Sequence, residues 1–272
     1  MNISDSIHRK NKGKAASLSL SSASCLDENI KKGGAILLGA QRFDHALRQG
    51  LPKAALHEVQ AALKDDTPCA SAFCLLLAER CRLSGQKGSN PILWVDEKQT
   101  QRCRNLLYPP GLVELGIDPN RIIYAQATTV IAALKTAADA VRSNAVVSVI
   151  LALSGKNPRG LDLTATRRLS LFARESGVTV FLLRDQLSSL STAAYSRWQI
   201  SSAPSRPLEA NAPGHPVFDV KLLRHRRGIE GLSSRLEWNR DSRIFEEYAP
   251  DIGAVPAVSV FGTDYQEQRR RA

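Results

Sequence analysis

The chain has 272 residues, 43% of them apolar, which suffices for one full α/β core or two small domains. Its formal charge of +11 and pI near 9.7 favour nucleic acid or an acidic partner through the long-range field. An odd number of irregularly spaced cysteines (25, 69, 74, 81 and 103) excludes a disulfide framework, and the absence of a run of about 18 apolar residues excludes a membrane helix.

Residues 1–32 are rich in Ser, Lys and Asn and read as a basic flexible tail, or as an arm that orders on a partner. Five serines within Ala15–Ser24 break any apolar core there, so no signal peptide or lipoprotein anchor is expected, and the cytoplasm is the expected compartment. Gly34–Gln49 carries Phe43 and Leu47 at helical spacing, and Leu56–Val59 follows as a strand. Pro68 opens a helix through Leu83, in which Cys69, Cys74 and Cys81 pack as small hydrophobes. Neither a Cys-x-x-Cys pair nor a nearby histidine completes a metal site.

Ile92–Asp96 reads as a buried strand, with a short helix around Arg102–Leu107, a rigid turn at Tyr108-Pro109-Pro110-Gly111-Leu112, one helical turn over Leu112–Leu115 and a strand at Arg121–Tyr124. That turn positions the next element or docks a partner. Thr129–Arg142 and Thr164–Glu175 have helical apolar faces, and Ala145–Leu153 and Val178–Leu183 are apolar enough for central strands covered on both faces. This alternation predicts an α/β fold with a mostly parallel sheet between helices. After Arg184, Arg197–Ile200, Val217–Leu223 and Leu232–Trp238 read as antiparallel strands extending the sheet, with Ser201–Pro216, which has four prolines, as a surface loop. Residues 33–247 are thus one α/β domain, and residues 248–272 a second flexible tail.

A phosphate loop needs small residues whose N–H groups surround the phosphates, a lysine to neutralise them, and a hydroxyl for magnesium. After Leu56–Val59 the chain instead reads Gln60, Ala61, Ala62, Leu63, Lys64, Asp65, Asp66, Thr67, without glycine and with two acids where a phosphate would lie. The strand Ala145–Leu153 has no terminal acid for magnesium, and Asp96-Glu97 has no phosphate or metal to act on. Gly-x-Ser-x-Gly is also missing, so no catalytic residue, cofactor or metal is expected. His57 reads as a structural hydrogen-bonding residue. Lys221, Arg224, Arg226 and Arg227, extended by Arg235, Arg240 and Arg243, form a basic cluster fanning from a hairpin tip and are candidate DNA or partner contacts. Without interleaved aromatics, this cluster is no base-stacking platform.

Four strings carry a family resemblance: Leu51-Pro52-x-x-Ala55-Leu56-His57-Glu58-Val59, Leu93-Trp94-Val95, Leu107-Tyr108-Pro109-Pro110-Gly111-Leu112 and its continuation to Pro119, and Leu161-Asp162-Leu163-Thr164-x-x-Arg167-Arg168-Leu169. Across about residues 45–245 the chain resembles the ImuA family, RecA-like accessory proteins of bacterial damage-induced mutagenesis. Gly116-Ile117-Asp118-x-x-Arg121-Ile122 and Phe218–Arg224 resemble segments of the RecA core more weakly. The resemblance implies a RecA-like core without the motor cycle. It also implies a non-catalytic role in SOS translesion synthesis beside ImuB, a relative of Y-family polymerases, and an alternative DnaE-type polymerase. DNA and RecA are further candidate contacts, and a membrane is not. The alternatives are a stand-alone basic DNA-binding modulator of recombination and a residual nucleotide-binding ATPase.

Overall fold

Residues 34–48, 50–85, 89–97, 107–209 and 212–248 are described by a computed structural model. The two terminal tails, the helix read at 102–106, and Cys25 and Cys103 lie outside the described residues.

The segment read as helical from Gly34 divides in two. β1 (Ala35–Ile36) pairs antiparallel with β2 (Leu51–Pro52), and only α1 (Gln41–Ala46) between them is helical. Asp44 sets the break, because its carboxylate accepts the backbone N–H groups of Leu38 (2.8 Å) and Gly39 (2.9 Å). Gly50 sits at φ +93°, where an added Cβ would lie 2.3 Å from the Ile36 carbonyl oxygen, so the approach of β2 to β1 requires glycine.

Strands and helices then alternate: β3 (Leu56–Ala61), α2 (Thr67–Leu83), β4 (Ile92–Glu97), α3 (Pro109–Glu114), β5 (Ile122–Ala127), α4 (Val130–Ser143), β6 (Ser148–Leu153), α5 (Leu163–Ser176) and β7 (Thr179–Arg184). The Thr129 hydroxyl and the Asp162 carboxylate cap α4 and α5 by accepting N–H groups of their first turns, and Asn144 and Gly177 end those helices in the left-handed conformation. The turn expected at Tyr108–Leu112 is a helix. Pro109 and Pro110 occupy its first turn, where their missing N–H groups have no intrahelical partner to lose.

β8 (Ser196–Ala203), β9 (Val217–His225), β10 (Ser233–Asn239) and β11 (Ile244–Glu247) complete a nine-stranded sheet of order β11-β10-β9-β8-β3-β7-β6-β4-β5. β8 corrects the reading of an antiparallel extension starting at Arg197: it lies parallel to β3 and antiparallel to β9. It also runs to Ala203, into the segment read as loop. β11 escaped the sequence reading because only Phe245 of its four residues is buried, while Glu246 and Glu247 read as polar surface.

Helices lie on both sides of the sheet, leaving one face of β9 open. On one face α2 packs with α1 and α3 around Phe43, Phe73, Trp198, Phe218 and Phe245; on the other, α4 and α5 pack around Val95, Leu151, Leu169 and Leu182. β3, at the centre, is wholly buried and sends His57, Val59 and Ala61 to the α2 face and Leu56, Glu58 and Gln60 to the α5 face.

Candidate nucleotide loop and basic cleft

Two places in this frame bear on function, at opposite ends of β3. At its C-terminal end, where a phosphate loop would sit, Lys64–Asp66 forms a single 3-10 turn running directly into α2. Asp66 locks it. One carboxylate oxygen accepts the Ser202 N–H (2.9 Å) and hydroxyl (2.8 Å), and the other accepts the Leu63 N–H (3.2 Å). The Ser202 N–H, foremost among these bonds, holds the Asp66 carboxyl below its ordinary 3.8, against the opposing effect of burial. The Ala62 N–H donates to Ile200 and the Asp66 N–H to Leu63, so three donors of the loop are engaged inside the protein. Thr67 donates its hydroxyl to the Lys64 carbonyl, while the Lys64 and Asp65 side chains face solvent.

The neighbouring strands supply no acid to this turn. Asp185, just after β7, spends its carboxylate on the Gly155 N–H (2.9 Å). Asp96 is the penultimate residue of β4, with β7 and β6 between that strand and β3, and accepts the Tyr124 hydroxyl at 2.8 Å. Burial raises its pKa. Among the described residues, no group of three or more His, Cys, Asp or Glu side chains gathers to hold a metal.

The middle of β3 explains why His and Glu stand in an apolar strand. Pro52 O can only accept, so His57 Nε2 carries the hydrogen and donates to it (2.9 Å), leaving Nδ1 to accept the Ser196 hydroxyl (2.7 Å). Ser196 Oγ in turn accepts Trp198 Nε1–H at 2.7 Å. This chain needs neutral imidazole, and burial pushes the His57 pKa from 6.5 to about 4. Glu58 on the opposite face accepts Gln60 Nε2 (2.8 Å), the Thr192 hydroxyl (2.6 Å) and Arg197 Nε (2.9 Å), with Arg184 Nη1 at 3.9 Å. Arg197 also donates to the Leu190 carbonyl (2.6 Å), and Gln60 Oε1 accepts the Ser188 N–H (3.3 Å). Residues 185–195 connect β7 to β8, its neighbour across β3 and parallel to it, without a helix; Glu58 and its partners fasten this crossover to the sheet. Sequence reading missed Arg184, Thr192 and Arg197; an Arg-Asp pair ending an apolar strand was the available signal.

At the N-terminal end of β3 a cleft of about 360 Å³ opens between α5, the foot of the crossover and the end of β9. Lys53, Arg167, Arg174, Arg224 and Arg226 line it, with Ser170 and Thr192, over a floor that includes Ala54, Ala55, Ala193 and Ala194. All four arginines are exposed, and none of the five cations has a carboxylate partner among the described residues; Arg224 reaches only the Thr192 carbonyl (3.4 Å) and Lys53 the Ser84 carbonyl (2.7 Å). Sequence reading placed Arg167 and Arg224 in separate strings; the fold brings them to one cleft.

The expected fan of basic residues is otherwise dispersed. β9 carries one extra residue between the pairs Trp198/Leu222 and Arg197/Arg224, so Arg224 points to the α5 face rather than out from a hairpin tip. Lys221 is exposed on the open face of β9, and beside it Arg235 is paired with Asp219 (2.8 Å). Arg240 donates to His215 (3.2 Å), and Arg243 lies 3.8 Å from Glu79 of α2, away from the cleft; Arg227 does not line it either. Of the remaining strings, Arg168 and Thr164 are exposed on α5, and Tyr108 and Gly111 border an apolar groove with Trp94 and Leu112 beside the exposed Pro109 and Pro110.

No protein-family model matches the chain. The crystal structure of the RadB recombinase superimposes with a TM-score of 0.52 at 15% identity, covering 79% of this chain and 100% of RadB, which establishes the RecA-like fold. Protein ImuA from two strains of Caulobacter vibrioides, NA1000 / CB15N and ATCC 19089 / CIP 103742 / CB 15, is 31% identical over 194 residues, 67% of this chain and 74% of the relative. The strings around His57, Tyr108 and Asp162, the RecA-like sheet and this degree of identity over most of the relative place the chain in the ImuA family.

Proposed function

We propose that this protein is a non-catalytic RecA-like adaptor of SOS-induced translesion DNA synthesis and mutagenesis, working in the cytoplasm. Residues 33–247 form its RecA-like domain, flanked by residues 1–32 and 248–272. In this reading it positions an ImuB-like relative of Y-family polymerases and an alternative DnaE-type polymerase at damaged DNA, and RecA is a further candidate contact. The observation that carries the non-catalytic part is the Lys64–Asp66 turn, whose Asp66 is bonded to Ser202 and Leu63 where a nucleotide would need open N–H groups. A charge-assisted phosphate contact is worth about 1.5–3 kcal/mol, so losing several removes most nucleotide affinity. Membership of the ImuA family supports the adaptor part.

Size-exclusion chromatography tests the positive claim: the purified chain is expected to co-elute with an ImuB-like protein encoded in the same genome. Separate elution across a range of salt would remove the adaptor reading. Calorimetry with ATP is expected to show no saturable binding at millimolar concentrations, and saturable binding would restore the ATPase alternative.

A further inference from the structure

The turn at the C-terminal end of β3 is closed by its own hydrogen bonds, yet the opposite end of the same strand holds four arginines around an open concavity, with Lys53 at its edge bonded to the Ser84 carbonyl that ends α2. Burying or crowding like charges is unfavourable unless an anion offsets them. The planar forks of these arginines match phosphate oxygens bidentately.

We propose that this cleft holds the phosphate backbone of single-stranded DNA. Arg167 and Arg174 stand on one helix, seven residues apart in sequence. At 1.5 Å per residue that is about 10 Å along the wall, or about three nucleotides of a stacked strand. Arg224 and Arg226 face them from the end of β9. The alanine floor of this cleft of about 360 Å³ lets a sugar-phosphate chain lie close to the protein. An acidic peptide fits less well. The sheet's free edges are β5 and β11, neither of which borders the cleft, so no strand can be added there. The small residues of the floor also leave no deep socket for a large apolar anchor. Tyr195 is buried, so bases find no stacking surface and the contact is indifferent to sequence.

This inference deepens the adaptor reading by naming which surface meets DNA, and it is tested on the full-length chain alone, so the two fail separately. Fluorescence anisotropy with labelled oligothymidylate is expected to show binding at low salt that weakens steeply with added salt, with a slope of about −0.7 per phosphate engaged. The pair Arg167→Ala and Arg224→Ala should weaken binding about tenfold or more and make the slope shallower by about 1.4. Arg240→Ala with Arg243→Ala, outside the cleft, should leave both unchanged. Arg167→Lys with Arg224→Lys keeps the charge and should retain most of the slope, which guards against a folding defect in the alanine pair. Photo-crosslinks from the oligonucleotide are expected within residues 163–174 and 192–195. Wild-type affinity in the alanine pair, crosslinks elsewhere, or no binding at low salt would each overturn the site. Competition by polyglutamate as effective as by oligothymidylate would overturn it in favour of an acidic protein segment.

Discussion

His57 shows how far a single residue can be specified by its partners. Pro52 and Ser196 take both ring nitrogens in a way that only the neutral ring permits, and the ring stacks on Phe181 with centroids 5.7 Å apart. The folded protein therefore holds His57 at about 4, whereas the unfolded chain titrates at 6.5. The unfolded state takes up the proton first as pH falls, so this contribution to stability is complete above pH 6.5 and is lost progressively down to about 4. The difference corresponds to about 3 kcal/mol. Urea unfolding at several pH values between 7 and about 4 should show this decline, and His57→Gln should remove part of it. A remainder is expected, because burial also lowers His225 to about 4, assisted by Arg227. An unchanged pH dependence in the variant would show that His57 is not the linked group.

Among elements, the turn Lys64–Asp66 is the one whose chemistry was most legible. The missing glycines and the presence of Asp65 and Asp66 argued against a phosphate cradle there. What Asp66 does instead was not legible, because its partner Ser202 lies 136 residues away on β8. Asp66→Ala leaves the Leu63 and Ser202 N–H groups without their acceptor and is expected to cost about 1–3 kcal/mol in urea unfolding, while ATP titration stays flat. Full stability in this variant would mean the turn is held by other contacts. The same limit explains the crossover at residues 185–195. Its hydrogen bonds run to Glu58, Gln60 and Arg197, so no local period marks it. Periodicity found the central strands and α2, α4 and α5 because each buries a face of its own. It failed at β1 and β11 and caught only the end of α3; all three are six residues or fewer and take their structure from neighbours.

Over the described residues, the segment 38–42 and β11 close the structure on one another. The Phe245 N–H donates to the Leu38 carbonyl (2.9 Å), the Arg42 N–H to Glu247 (2.8 Å), and Phe245 meets Trp238 with ring centroids 4.9 Å apart. Ending the chain after Ser242 removes Phe245 from the core and exposes the β10 edge, so that truncation should aggregate or lose about 3–5 kcal/mol, whereas ending it after Tyr248 preserves the described contacts. Comparing melting temperatures and solubility of the two truncations tests this, and equal behaviour would show that β11 is dispensable. The candidate cleft was only half visible from sequence: Arg224 and Arg226 stood out as a charge run and Arg167 within a family-like string, but Arg174 carried no signal and nothing joined the two groups until the fold set them opposite. That meeting depends on a single unpaired residue. Leu223 acts as a phase shifter: ahead of it Phe218, Val220 and Leu222 point into the core, and if Leu223 took a regular paired place Arg224 would follow them there while His225 turned outward. The polarity of one wall of the cleft is thus written in the parity of a strand, and pairing Leu223 into the ladder would erase it while sparing every arginine.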